Sequence, residues 1–332
     1  MTHINPIMDF RLKLEIGFID KKHGIIIADE YADLTKGLDM SFDILKSYDS
    51  KPQASKITIY NLSTKTYNEI YEQADAFRLS CARGENEEYV PFYTGYPIRA
   101  SQIAKSTILT SNQGFMMQDA NAGRRGQNDL ETEITLMNYG FAEIFKSYQT
   151  KVSAELVLND CINALGLPKG NIDKNILENL KSTSFQAGFT IRGEVNKVLD
   201  SIGKTCNFNW NTNDMQFNIY DKNRSDIKTY GIELNPNNSA TPERQDDKIK
   251  SRVQTIQKAS KKKGIKGAKA ITTEKISQGF MVRTQLLPHL ICGSTCRMNF
   301  EMSDAKGDKY IYRIRHYGDN VGTECYTDIY CL

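Results

Sequence analysis

At 332 residues the chain is long enough for two or three domains with cores of their own. A near balance of 43 basic against 40 acidic residues lacks the charge signature of a nucleic-acid binder. No run approaches the roughly 18 consecutive apolar residues of a membrane-spanning helix, and residues 1–9 lack the basic and apolar regions of a signal peptide, so the reading places synthesis in a cytoplasm. Residues 10–20 alternate, with Phe10, Leu12, Leu14 and Ile16 against Arg11, Lys13 and Glu15, which predicts a half-buried strand. Strands follow at 24–28 and 41–46, then a polar connection with Pro52. In 55–63, Ile57 and Ile59 point one way and Lys56, Thr58 and Tyr60 the other, until Asn61 and Ser63 stop the strand. Ser63 or Thr64 is placed to cap a short helix over 64–76. Strands are expected at 77–82, at 90–98 and at 131–137; the prolines of the second predict a bend or a sheet edge. Residues 111–129, rich in Gly, Asn and Gln with Arg124 and Arg125, read as an exposed loop or a long hairpin arm. Strands so closely spaced suggest a sandwich or barrel.

The middle changes character. A helix is expected over 153–165, with Ser153 as N-cap, Leu158, Cys161, Ile162 and Leu165 on one face, and Gly166 with Pro168 ending it. A second is expected over 193–204, with Val195, Val198, Leu199 and Ile202 as its stripe. Cys206, Phe208 and Trp210 then alternate with Asn207, Asn209 and Asn211, and Met215, Phe217 and Ile219 return after a turn at 212–214. Helix, helix and hairpin make a small α+β domain over 151–234. Residues 235–277 read as a basic polar linker or loop, with a dense basic run at 258–269. Strands are expected at 278–287, 296–302 and 309–317, the third with Tyr310, Tyr312 and Ile314 on one face, and 326–332 closes the chain.

Catalytic signatures are absent: there is no G-x-S-x-G, H-E-x-x-H, P-loop or G-x-G-x-x-G, and Gly264 to Gly267 is too poor a match for a phosphate loop. Seven cysteines, an odd number, sit mostly in apolar or alternating runs and read as buried reduced thiols. Cys292 and Cys296 have a loose ligand spacing that only long-range folding onto a histidine would complete into a zinc site. His316 and Asp319 with a cysteine would form a nucleophile set, but a His in an alternating strand beside a Gly-Asp turn is ordinarily structural. The pairs Glu87–Glu88 and Asp246–Asp247 read as solvated loop acids. The 258–269 run is open to three readings: a solvated loop, an assembly contact, or a phosphate-backbone contact without aromatic interleaving.

The stretch Ile57-Thr58-Ile59-Tyr60-Asn61-Leu62-Ser63 resembles the I-x-I-x-N-L-S signature of phage tail baseplate hub proteins, the late-control protein D and Mu-type hub family. Phe92-Tyr93-Thr94-Gly95 is similar to that family's F-x-G strand with one residue more, and 131–138 to its T-x-I strand. Thr190-Ile191-Arg192-Gly193 through Trp210 is similar to its middle helix and Trp-bearing hairpin. Leu286 to Gly293 resembles L-x-P-x-L-x-x-G, and Tyr312 to Asp319 its C-terminal strand and Gly-Asp turn. Cys325-Tyr326 departs from the family's Trp-Tyr, and the 111–129 loop and basic linker are longer than its pattern.

The resemblance implies a mainly β fold with α+β content. Two β-barrel-like tube domains, residues 1–150 and the segment 278–332, would flank the small α+β domain. Three copies would form a ring adapting a six-fold tail tube to a three-fold spike, with a central channel for genome passage. The implied partners are two further copies, a trimeric tail spike protein, a tail tube protein, and tape-measure and other baseplate proteins, with DNA only as cargo and no membrane insertion. The place implied is the virion tail baseplate of a phage or phage-tail-like particle, assembled in the host cytoplasm. No catalytic, cofactor-binding or metal-ligating residue is implied. The rival readings are a nucleic-acid-binding assembly protein acting through 258–269 and a tail-associated hydrolase.

Overall fold

The computed structural model describes residues 10–16, 25–28, 38–48, 50, 54–60, 62–63, 65, 76–83, 88–97, 103–106, 130–137, 142–172, 174–221, 229–256, 270–301, 305–320 and 325–332. The N-terminal strands are β1 (Phe10–Ile16), β2 (Ile25–Ala28), β3 (Met40–Ser47), β4 (Ala54–Tyr60), β5 (Phe77–Arg83), β6 (Val90–Pro97), β7 (Ile103–Ser106) and β8 (Leu130–Met137). The middle holds β9 (Glu143–Tyr148), β10 (Val152–Ser153), α1 (Ala154–Leu165), β11 (Lys169–Ile172), α2 (Lys174–Ser182), β12 (Ser184–Phe185), β13 (Phe189–Glu194), α3 (Val195–Thr205), β14 (Phe208–Asn211) and β15 (Phe217–Asp221). The C-terminal part adds β16 (Thr229–Leu234), β17 (Glu243–Ile256), β18 (Ala270–Gln285), β19 (Thr295–Met298), β20 (Gly307–Asp319) and β21 (Cys325–Cys331). The molecule is mainly β; α1, α2, α3 and a 3-10 turn at Asn213–Met215 are the helical elements of its middle part.

One 14-stranded sheet carries both ends of the chain in the order β17-β18-β21-β20-β3-β4-β8-β6-β5-β1-β2, with β7 on β8, and β19 and β16 extending from β20. The β20–β3 ladder joins the two halves, from Arg313 opposite Ser47 to Asp319 opposite Ser41. The expectation of separate barrels meets a different arrangement here: among the described residues the ladder runs open from β17 to β2.

Alternation buries the face it predicts. Leu12, Leu14, Ile16, Phe42, Ile44, Ile57 and Ile59 share one core with Phe77, Leu79, Phe92 and Tyr93, and Leu286 and Cys325 join it from the far end of the chain. Thr58 and Tyr60 are buried as well, so β4 is covered on both faces over its second half, while Lys56 stays exposed. A second core lies wholly within 142–219 and a third in the C-terminal strands.

Several expectations are corrected. The polar break at 235–277 is instead occupied largely by β17 and β18, antiparallel partners from Glu243 opposite Met281 to Ile256 opposite Ala270. The strand with two prolines is no edge: β6 pairs with β5 and β8, and the ladder slips where Pro91 faces Ser80. The second predicted helix begins at Val195, because Gly193 is still in β13 opposite Ile144 with φ 108. β19 ends at Met298. α2, with only Ile176 and Leu180 buried, is an additional helix. α1 matches its expected caps: Ser153 Oγ accepts from Leu156 N at 3.2 Å, and Gly166 closes it at φ 67. The helix expected at 64–76 lies outside the described residues except for Lys65 and Ala76, and the 111–129 loop and 258–269 run lie wholly outside them.

Candidate functional site

The catalytic candidates come apart. His316 is fully buried on the inner face of β20. Its Nδ1 lies 2.9 Å from Thr327 Oγ1, which itself accepts from Leu287 N at 2.9 Å, and its ring meets Phe92 edge-on at 5.5 Å. Burial, helped by the charge of Lys46, holds its pKa well below the usual 6.5, so the ring is a neutral core group. Asp319, three residues on, stands on the opposite face by the alternation of the strand.

All seven cysteines are buried free thiols. Cys292 and Cys296 both belong to the third core, and Cys331 donates to Met298 Sδ at 3.5 Å. Burial and the nearby Asp319 push the Cys325 thiol up to about 12, and burial with Asp160 pushes Cys161 to about 12, the reverse of nucleophile activation. Among the described residues, no group of three or more His, Cys, Asp or Glu is placed to hold a metal. Asp246 and Asp247 fall in β17 rather than a loop, and Glu88 is exposed.

Two polar arrays stand out instead, neither of them singled out by motif. On the outer face of β18, β21, β20 and β3, arginines, tyrosines and aspartates interlock. Arg283 forks onto Asp328 at 2.8 and 3.2 Å, and Arg315 onto Asp43 at 2.8 and 2.7 Å. Arg283 and Arg315 lie 5.3 and 4.9 Å from the Tyr317 ring centre, and Arg313 lies 5.7 Å from that of Tyr330. A groove of about 890 Å³ opens here between Arg283, Arg315, Tyr317 and Tyr326 and the turn at 236–240. Each of the two forked guanidiniums is already held by a carboxylate and a ring.

The second array seats the middle α+β unit on the sheet. At the end of β3, the side chain of Lys46 is only 4% exposed, and its Nζ donates to Asp214 Oδ2 at 2.7 Å. Asp214 sits at φ 57 in the tight turn between β14 and β15, a conformation that Asp tolerates better than most residues. Asn211 and Asn213 both donate to Ser47 O, at 3.1 and 2.8 Å, and Asn209 donates to the Tyr48 hydroxyl at 2.8 Å. Asn218 ties Asn211 in place at 3.1 Å. Asp200 accepts from both Ser50 Oγ and Trp210 Nε1 at 3.0 Å. The asparagines that alternate along the sequence of β14 are thus the side that grips the sheet, with Phe208 and Trp210 in the unit's own core.

By sequence, no family model and no curated protein matches the chain. By structure, it is similar to the 43 kDa tail protein of prophage MuSo2 from Shewanella oneidensis, with a TM-score of 0.56 at 10% identity over 98% of this chain and 96% of that one. It is also similar to a tail protein from Neisseria meningitidis MC58, with a TM-score of 0.53 at 7% identity over 97% and 96%. The chain shares the fold of these tail proteins. A chain of the Francisella PdpA–VgrG complex is similar as well, at TM-score 0.55 and 9% identity, over 97% of this chain but 57% of that one. The alignment with the two tail proteins runs through the large sheet and the α+β unit alike, since it spans nearly the whole of each chain.

Proposed function

We propose that the chain is a structural protein of a phage tail, or of a phage-tail-like particle, and within it the baseplate hub. The observation that carries this reading is the fold shared with two tail proteins end to end, rather than over one module. In this reading three copies form the ring that adapts a six-fold tube to a three-fold spike, and the genome passes through its lumen. Residues 1–150 and 278–332 supply the tube-forming β parts and 151–234 the outer α+β domain. The partners are the trimeric spike, the tail tube protein, and tape-measure and other baseplate proteins, with DNA as cargo. The role is non-enzymatic. The interlocked Arg–Tyr–Asp face supports a protein-contact role, because Tyr and Arg are the residues protein interfaces favour, and its rings, covered by guanidiniums, offer little surface for stacking bases.

The test is location. With an affinity tag on the chain, gold labelling of purified tails should mark the spike-proximal end of the tube. Label spread along the tube, or absent from intact tails, contradicts the hub reading.

A further inference from the structure

Among the described residues, the middle α+β unit and the sheet share no apolar cluster: the second core draws every member from within 142–219, and the other two draw none from it. The Asn213–Met215 turn packs close against β6, and the side-chain bonds across the contact are polar. Lys46–Asp214, the Asn211 and Asn213 bonds to Ser47 O, Asn209–Tyr48 and Ser50–Asp200 form the contact. The Tyr220 ring adds a packing contact on Gly293. Hydrogen bonds of this kind exchange for water at small net cost. An ion pair with one buried member gains little over its desolvation. Polar contacts between folded units permit relative motion, where large apolar ones do not.

We infer that the α+β unit is latched, not fused, to the sheet: Lys46–Asp214 is the bolt, and the unit is released as one body with all three apolar cores intact. The asymmetry of burial sets which side of the bolt matters more. The Asp214 side chain is 39% exposed, so losing Lys46 leaves a carboxylate that water reaches. Losing Asp214 strands a buried ammonium. In a tail assembly, such a latch lets the unit reorient when a neighbour docks; that consequence rests on the hub reading, whereas the latch does not.

Amide hydrogen exchange on the isolated full chain tests it without any partner. In Asp214→Asn, peptides covering 48–50 and 212–216 should exchange at least tenfold faster than in the unaltered chain. Peptides from α1, α3 and the β20–β21 ladder should keep their rates. Lys46→Met should loosen the same two segments by a smaller factor, and it decides the matter alone if Asp214→Asn does not fold. Unchanged exchange at both segments, or loosening spread evenly through the cores, overturns the latch, and neither result bears on whether the chain sits in a tail.

Discussion

Gly95 shows how a single residue is legible before its reason is. The Phe92-Tyr93-Thr94-Gly95 motif marks the position, but only the fold shows that a Cβ there would stand 2.8 Å from Cζ of the buried Tyr93 ring, which lies along the strand. Gly293 is the same kind of residue, with Tyr220 of the middle unit as its neighbour. His316 is the residue whose apparent chemistry inverted. A histidine near an aspartate invites a catalytic reading, yet nothing local in the sequence announces that Thr327 and Phe92 will enclose it. Its burial has a consequence for pH. The folded pKa is depressed, so below about pH 6.5 the unfolded chain binds a proton that the native ring refuses. Stability is therefore lost as pH falls through that value, by up to about 1.4 kcal/mol per pH unit. Urea unfolding between pH 7.5 and 5 should show this slope, and His316→Asn, although less stable throughout, should flatten it. Parallel slopes for the two proteins would show that the ring is protonated in the native state.

Elements were legible where local signals decide them and obscure where pairing does. α1 carries its own start and stop: a serine whose hydroxyl takes up an orphan N–H, an apolar face of Val157, Leu158, Cys161 and Ile162, and a left-handed glycine at its end. Replacing Ser153 by Ala should cost about 1 kcal/mol in urea unfolding; a loss below about 0.3 kcal/mol would mean that the cap bond contributes nothing. β17 and β18 lie at the other extreme. Glu243–Ile256 is rich in charge and lacks a strict apolar alternation, so its composition reads as a loop. Its backbone nevertheless finds a partner strand across the 257–269 connection, and that pairing is a long-range fact. α2 is hidden in the sequence for a related reason: two buried residues in nine make a stripe too narrow to stand out. The Asn-rich strand β14 reads as a strand, but its asparagines give no hint that they grip Ser47 and Tyr48 more than 160 positions away.

At the scale of the molecule, the order of short motifs along the chain carried the reading, and the structure supplies what links them. β3 and β20 lie some 270 positions apart and pair directly, so the first and last parts of the chain build one sheet. A linear reading assigns those parts to separate barrels, because β registers between distant segments leave no local trace. An open ladder with β17 at one end and β2 at the other leaves both end strands as edges within the described chain, and edges of this kind are ordinarily covered or paired. Assembly with further copies is one way to cover them, in keeping with a ring of three. The most direct test is the mass in solution, by light scattering, of the full chain alone and mixed with candidate spike and tube proteins. The account predicts a species of three times the 37.7 kDa chain mass, either alone or on adding the spike. A monomer indifferent to both partners would contradict it.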